Sequence, residues 1–126
     1  MSRAQLQLFN ALIRTHHITS RKKVQRLRKA ADDQGLRFVL LRSGGSPGIM
    51  YAEASREEPL RDWVEAVQAL RYKDYRCVCK PTPFFLPEAP ADVPVGFREV
   101  ASVADFGREM ERRGLTEWWR MGMGYE

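Results

Sequence analysis

The chain has 126 residues, of which 44% are apolar and 29% are charged, and its formal net charge is +5. This length fits one domain, and the absence of any apolar run near the ~20 residues of a membrane span argues against a membrane protein. The opening MSRAQLQLFN lacks the apolar stretch of a secretory signal, so we expect an intracellular protein, nuclear or cytoplasmic.

The positive charge is concentrated in the first third of the chain. Residues 1–42 hold 10 basic and 2 acidic side chains, whereas residues 43–126 hold 11 basic and 14 acidic ones. A basic segment of this kind predicts a polyanionic partner, although it carries no information about sequence specificity.

The first predicted elements are a short helix and a short strand. Residues 3–14 place apolar side chains at helical spacing and predict an N-terminal helix. THHI, residues 15–18, predicts an extended segment that serves as the first strand of the sheet.

A basic helix is predicted next, over about residues 20–34. Thr19 or Ser20 is a suitable N-cap, and Gly35 lies where a C-cap is expected. The apolar stripe is formed by Val24, Leu27 and Ala31. The opposite face carries Lys22, Arg26 and Lys29, and Lys23 flanks the stripe.

Two strands, a second helix and a further strand follow. Residues 36–42 and 48–54 are rich in β-branched and aromatic side chains and predict strands. Ser55 and Glu58 form a capping-box pattern before a helix over 56–70. DYRCVCK, residues 74–80, predicts the next strand.

The C-terminal third begins with a proline-rich segment. Residues 81–95 predict an extended connector, because proline is excluded from helix interiors and central strands. A short strand over 96–100, a helix over 103–113 capped by Ser102, and a last helical turn complete the chain.

This order predicts an α+β fold. Residues 15–80 read β-α-β-β-α-β, which is the ferredoxin-like split βαβ arrangement with helices on one face of an antiparallel sheet. We expect a single domain over 1–126, with an N-terminal helix before this core and a helical extension over 96–126 that packs on it.

The glycine-rich loop GGSPG, residues 44–48, favours a hairpin turn over a phosphate-binding loop. A P-loop requires a lysine and a following helix, whereas a strand follows Gly48. One H-x-T sequence occurs, at 17–19, and no nucleophile elbow is present. The sequence therefore predicts a protein that is not an enzyme and needs no cofactor.

No metal site is predicted. Cys77 and Cys79 are the only cysteines, and with His16 and His17 they do not form a convincing set of zinc ligands. On a regular strand the two cysteines share one face, opposite Arg76 and Lys80. We interpret them as half-buried strand residues.

An ordered set of short motifs covers residues 14–80. It comprises the HHI tripeptide, the turn and strand GSPGIMYAE, and the YK pair after the second helix. The set resembles the C-terminal domain family of a small nuclear ribonucleoprotein, a pre-mRNA-splicing factor of the tri-snRNP. It is most similar to the branch that follows RWD domains in RWD-domain-containing proteins. The motif positions in this chain are His16, His17, Gly45, Pro47, Gly48, Tyr51 and Glu53.

The resemblance implies a ferredoxin-like fold and, from the splicing factor, binding to paired small nuclear RNA. The main functional prediction is therefore an RNA-binding module. Its candidate residues are Lys22, Lys23, Arg26, Lys29, Lys73, Arg76 and Lys80, with Arg42 in support. If the second sheet face is open, Tyr51 offers a stacking surface for bases.

The alternative is a protein–protein interaction module of the RWD-associated type that does not bind RNA. The C-terminal segment LTEWWRMGMGYE is rich in aromatic and methionine side chains, and Trp118 and Trp119 are its candidate partner-binding residues. These side chains either cover the sheet or meet a partner. If they cover the sheet, they block RNA binding there and leave the basic helix as the anion site.

Overall fold

The computed structural model describes residues 5–87 and 93–125. Within these residues the protein has an α+β fold with a five-stranded mixed sheet and four helices. In chain order the elements are β1 (Gln5–Thr15), α1 (Arg21–Gln34), β2 (Phe38–Arg42), β3 (Gly48–Ala54), α2 (Glu57–Ala69), β4 (Arg76–Pro87), β5 (Gly96–Val100), α3 (Val103–Arg112) and α4 (Thr116–Met123).

The strands lie in the order β4-β1-β3-β2-β5. β1 pairs antiparallel with β4 and with β3, and β2 pairs antiparallel with β3. β5 adds to the outer side of β2 in the parallel direction, which makes the sheet mixed. β4 and β5 are consequently the two edges, and β1 lies in the interior of the sheet.

The helix predicted over residues 3–14 is wrong, because residues 5–14 of this segment belong to β1. β1 is buried on both faces, so that Leu12 and its neighbour Ile13 are both 0% exposed. A strand buried on both faces loses its period-two alternation, and its continuous apolar run is easily taken for a helical stripe. The strand predicted over 15–18 is also wrong, since the chain after Thr15 is irregular until α1 begins.

The predictions for α1, β2, β3 and α2 are confirmed to within two residues at each end. The Ser20 hydroxyl accepts a hydrogen bond from the backbone N–H of Lys23 at 3.2 Å, and Gly35 ends α1 with a φ of +66°. The capping box predicted at Ser55 is wrong. Arg56 is the N-cap of α2 and makes no side-chain capping bond.

β4 continues into the segment predicted as the connector over 81–95. It runs to Pro87 and pairs with β1 alone, so its outer edge has no strand partner in the described part of the chain. Pro81 and Pro83 are tolerated because an edge strand does not need every N–H for pairing. Residues 88–92 of the predicted connector lie outside the described residues.

Helices cover both faces of the sheet. α1 and α2 pack on one face over a core that includes Ile13, Leu41, Met50, Trp63 and Val67. α3 and α4 pack on the other face over a second core that includes Leu12, Phe38, Tyr51, Phe106 and Trp119. The C-terminal extension therefore supplies one edge strand, β5, and covers the second face of the sheet with α3 and α4.

A glycine allows α4 to lie close to the sheet. A Cβ at Gly122 would lie 2.8 Å from the Cys79 sulfur and 2.9 Å from a methyl carbon of Leu12. Any larger side chain at this position would push α4 outward and open the second core.

Candidate nucleic-acid interface

The outward face of α1 presents two unpaired cations. Lys22 and Arg26 are exposed and form no ion pair with any described residue. Lys29 differs, because its ammonium lies 3.0 Å from the Asp33 carboxylate one helical turn away. The charge available on this face therefore comes mainly from the first half of α1.

Lys23 turns away from this face and toward the loop between α2 and β4. Its ammonium lies 4.9 Å from the centre of the Tyr72 ring and 3.4 Å from the carbonyl oxygen of Arg71. Lys73 and His17 line the same small groove. The structure thus brings together Lys23 and Lys73, which are 50 positions apart in the sequence.

Arg21 is neutralised by an acid on β5. Its guanidinium donates two hydrogen bonds to Glu99, at 2.6 and 2.9 Å. The hydrogen bonds from Arg21 are the main cause that lowers the pKa of Glu99 below its usual value. The pair joins α1 to the edge of the sheet, so Arg21 does not contribute a free charge to the interface.

Three loops meet at one end of the sheet and bring several motif residues together. The His16 N–H donates to the carbonyl of Lys73 at 2.9 Å, and the Gly48 N–H donates to the carbonyl of His16 at 3.2 Å. The Gly44 N–H donates to the carbonyl of Ile18 at 2.8 Å. These backbone bonds tie the β1–α1, β2–β3 and α2–β4 connections into one junction.

The glycine-rich loop is the turn of the β2–β3 hairpin, as predicted. Gly48 is required at its end, because a Cβ there would lie 2.2 Å from the hydroxyl oxygen of Thr15. The Arg42 guanidinium donates to the carbonyl of Pro47 at 3.1 Å, and a Cβ at Gly45 would approach this guanidinium to 3.2 Å. Arg42, predicted to support RNA binding, therefore holds the turn.

Tyr51 does not offer a stacking surface, and that prediction is wrong. Its side chain is 0% exposed beneath α3 and α4, as is that of Glu53. The Asn10 amide donates to the Tyr51 hydroxyl at 3.3 Å, which donates in turn to Glu53 Oε1 at 2.6 Å. Arg113 completes this buried network by donating to the same carboxylate oxygen at 2.7 Å.

The buried network attaches α3 to the sheet by an ion pair. Burial raises the pKa of Glu53, while the Arg113 charge and the Tyr51 hydroxyl act in the opposite direction. Burial also raises the pKa of Tyr51 well above its usual value. Arg113 lies 4.1 Å above the Phe38 ring and also donates to the carbonyl of Pro94. The Arg113 guanidinium thus contacts a carboxylate, an aromatic ring and a backbone carbonyl.

One signal for this ion pair is present in the sequence. Glu53 lies in GIMYAEA, an otherwise apolar strand, and a carboxylate buried in a sheet requires a compensating partner. The identity of the partner was not accessible from the sequence, because nothing in ERRGL distinguishes the buried Arg113 from the exposed Arg112.

Arg76 and Lys80 do not lie where the predicted alternation of β4 places them. The pairing register between β1 and β4 shifts on both sides of Leu12. As a result, Cys77 packs on the α1 and α2 face, whereas Cys79 packs on the α3 and α4 face. Arg76 and Lys80 line a groove of about 550 Å³ beside α2. The prediction that both cysteines share one face is therefore wrong.

The two tryptophans predicted to bind a partner lie against the second core. Trp119 is 5% exposed, and its ring centre lies 5.9 Å from that of Phe106. Trp118 is half-buried and meets the Tyr51 ring edge-on at 5.8 Å. Met121, at 80% exposure, is an apolar residue of α4 that faces solvent.

A polar cavity of about 340 Å³ opens at the loop junction. Its lining residues are Arg14, Thr15, His16, Ser46, Pro47, Asp74, Tyr75 and Arg76. The His16 Nδ1 lies 3.6 Å from a carboxylate oxygen of Asp74. Arg14 was not identified from the sequence because it was placed at the end of a helix. Its position opposite Arg76 follows from the register of β1 with β4.

Comparison of the chain with protein-family models found no match, and comparison with curated proteins found none either. Within the described residues, no group of three or more histidine, cysteine and acidic side chains is arranged to hold a metal ion. In the same part of the chain, no helix has both the length and the apolar character needed to cross a membrane.

Proposed function

We propose that the chain is a non-enzymatic RNA-binding module that uses the basic surface formed by the first half of α1 and the α2–β4 loop. The observation that carries the proposal is a set of cations, exposed except for the half-buried Lys23, that form no ion pair with any described residue. This basic surface consists of Lys22, Lys23, Arg26, Lys73 and Arg76. Charges left unpaired in this way attract a polyanion without first having to break internal ion pairs.

The strand order supports a ferredoxin-like core for this module. β4, β1, β3 and β2 are neighbours in that order, and each neighbouring pair is antiparallel. This is the arrangement expected of a split βαβ unit, to which β5, α3 and α4 would be additions. We therefore keep the resemblance to the splicing-factor C-terminal domain as part of the proposal.

The position of α3 and α4 defines how RNA would be bound. Many RNA-binding sheets stack bases on aromatic side chains of an open face. Here the corresponding aromatic residue, Tyr51, is covered. The proposed contacts are therefore mainly phosphate contacts made by lysine and arginine, and we expect weak sequence preference and strong salt dependence.

The test is a salt titration of RNA binding with charge-matched variants. Binding of labelled oligouridylate and of an RNA hairpin is measured by fluorescence anisotropy between about 50 and about 200 mM salt. Lys22→Gln with Arg26→Gln removes two charges from the basic surface. Because each phosphate contact contributes about 0.7 to the salt slope for single strands, this variant should lower the slope by about 1.4.

The matched control removes the same charge from elsewhere. Arg56→Gln with Arg108→Gln neutralises two exposed arginines whose charges already meet Glu58 and Asp105. This control should leave the salt slope unchanged. The absence of RNA binding at the lower salt concentration, or an equal loss in both double variants, would reject the proposal.

The protein-interaction alternative is supported by apolar exposure along β4. Phe85 is 58% exposed on this edge strand, whose outer side is not paired within the described chain. An unpaired strand edge with an exposed aromatic side chain is a template for an added strand. If the RNA titration fails, a Phe85→Ser variant that abolishes binding to a purified partner would favour this alternative.

A further inference from the structure

The cavity at the loop junction has the side-chain composition of an anion site. It is lined by two arginines, a histidine, a serine and a threonine, with one acidic residue, Asp74. Its volume of about 340 Å³ is within the range of small-ligand sites. The cavity is distinct from the outward face of α1, which contributes no residue to its lining.

Two arginines lie directly opposite each other at the wall of this cavity. Arg14 on β1 and Arg76 on β4 are register partners in the antiparallel pair. Cβ atoms of such partners are about 4.5–5.5 Å apart, and like charges in this relation destabilise a sheet. Both side chains are exposed, and neither forms an ion pair with a described residue. An anion held between them would relieve the repulsion.

A buried hydroxyl in the lining is also unpartnered. Thr15 is 2% exposed, and its hydroxyl oxygen makes no hydrogen bond with any described residue. A buried polar group without a partner costs free energy, and this hydroxyl lies against Gly48, where a Cβ would approach it to 2.2 Å. Ser46, in the glycine-rich turn, supplies a second hydroxyl to the lining.

The Asp74 carboxylate weakens the attraction of the cavity for an anion. Its carboxylate lies 3.6 Å from His16 and has the one negative charge among the lining residues. It would repel a phosphate group while the two arginines attract it. Asp74 has a φ of +55°, a conformation that asparagine also adopts, so its charge can be removed without backbone strain.

We propose that this cavity binds one phosphate group, held between the guanidinium groups of Arg14 and Arg76. Arginine suits this role because its planar fork donates two parallel hydrogen bonds to phosphate oxygens. The inference deepens the proposed RNA-binding function by assigning one phosphate to a defined site. The phosphate would come either from an RNA strand or from a free phosphate monoester, which share this chemistry.

The test uses the full chain and three kinds of probe. Inorganic phosphate, adenosine 5′-monophosphate and oligouridylate with or without a 5′-phosphate are titrated and followed by NMR shifts of the backbone amides and arginine side chains. Arg14→Gln and Arg76→Gln should each weaken binding of inorganic phosphate by about tenfold or more, because each removes a charge-assisted hydrogen bond. Asp74→Asn should tighten it by about fivefold, because it removes a repulsive charge.

The higher affinity expected of Asp74→Asn distinguishes the proposal from a folding defect, because misfolding does not strengthen phosphate binding. Arg108→Gln, on α3 and outside both proposed binding surfaces, is the control and should leave binding of inorganic phosphate unchanged. A higher affinity for the 5′-phosphorylated oligouridylate that depends on Arg14 would identify a terminal phosphate as the ligand. Equal affinities that both depend on Arg14 would identify an internal phosphate of the strand.

The outcomes separate this inference from the RNA-binding proposal. Binding of phosphate and adenosine 5′-monophosphate without any binding of oligouridylate would support the cavity and reject the RNA-binding function. Binding of oligouridylate that depends on Lys22 but not on Arg14 or Arg76, with no shift on adding phosphate, would overturn the cavity site and leave the RNA-binding function intact.

Discussion

Removal of Arg113 is the most informative perturbation of this fold. The side chains of Arg113 and Glu53 are both 0% exposed, and their charged groups are 2.7 Å apart. Arg113→Met keeps much of the apolar contact with Phe38, over which the guanidinium lies at 4.1 Å. It removes the closer of two cations and leaves the buried Glu53 carboxylate with the Tyr51 hydroxyl as its hydrogen-bond donor and with Arg37, whose Nε lies 3.9 Å from Oε2.

The expected loss of stability on removal of Arg113 is a large part of the total free energy of unfolding. Breaking a buried ion pair by removing one partner costs about 3–5 kcal/mol. Domains of this size have total stabilities of about 5–15 kcal/mol. With about 4 °C of melting temperature per kcal/mol, Arg113→Met should lower the melting temperature by about 12–20 °C.

The loss should depend on pH with a defined sign. The pKa of Glu53 is already raised by burial, and Arg113 opposes that rise. Without Arg113 the pKa rises further, so the folded state favours the protonated acid. The penalty is then absent below the unfolded pKa of about 4.3 and develops as pH rises through the window up to the folded value. Arg113→Met should therefore be less destabilising at about pH 5 than at about pH 7.5.

The assay is chemical denaturation of both proteins, followed by circular dichroism at the two pH values. A second variant, Glu53→Gln with Arg113→Met, provides the rescue. It replaces the stranded carboxylate by a neutral amide and should recover most of the lost stability. An equal loss at both pH values, or no recovery in the double variant, would refute the view that a stranded buried charge is the cause.

Three further variants test other parts of the fold. Glu99→Gln should lower the free energy of unfolding at neutral pH and leave it unchanged in acid. The lowered pKa of Glu99 means that its ionised form stabilises the folded state, and this contribution is lost as pH falls through the folded pKa. Denaturation at a series of pH values measures the difference. Gly48→Ala should cost about 1–3 kcal/mol or more by its clash across the β1–β3 pair, whereas Gly45→Ala meets only a flexible side chain and should cost less. Trp119→Ala should cost about 3–5 kcal/mol in thermal unfolding, with Met121→Ala, at 80% exposure, as a near-neutral control; similar losses in both would contradict the assignment of α4 to the core.

The parts of the fold that were predicted from the sequence are those with strong local signals. α1 has a clear amphipathic pattern, a serine cap and a C-terminal glycine, and both caps are present in the structure. β2 and β3 are joined by a turn whose glycines and proline indicate its position. In these segments the local preferences agree with the tertiary structure, so a single sequence is sufficient.

The errors arose where tertiary burial removes the local pattern. Residues 8–13 of β1 are covered on both faces, so this part of the strand does not alternate between apolar and polar side chains, and helical spacing fitted by coincidence. β4 is shifted in register near Leu12, so the alternation deduced for the cysteines failed beyond that point. Neither the covering of the second sheet face nor the register shift between β1 and β4 produces a periodic pattern in the sequence.

The covering of the second face changes where a ligand can bind. A four-stranded sheet with helices on one face alone would leave Tyr51 and its neighbours open. In this chain α3 and α4 bury that face and attach to it by the ion pair between Arg113 and Glu53. Exposing the face would separate these two charges at a cost of several kcal/mol, so it is not available to a ligand that binds weakly through phosphates. The surfaces that remain are the strand edges, the outward face of α1 and the loop junction at the end of the sheet. At the loop junction the described residues combine a cavity with two arginines that are register partners, which is why we place the defined contact there and assign general attraction to α1.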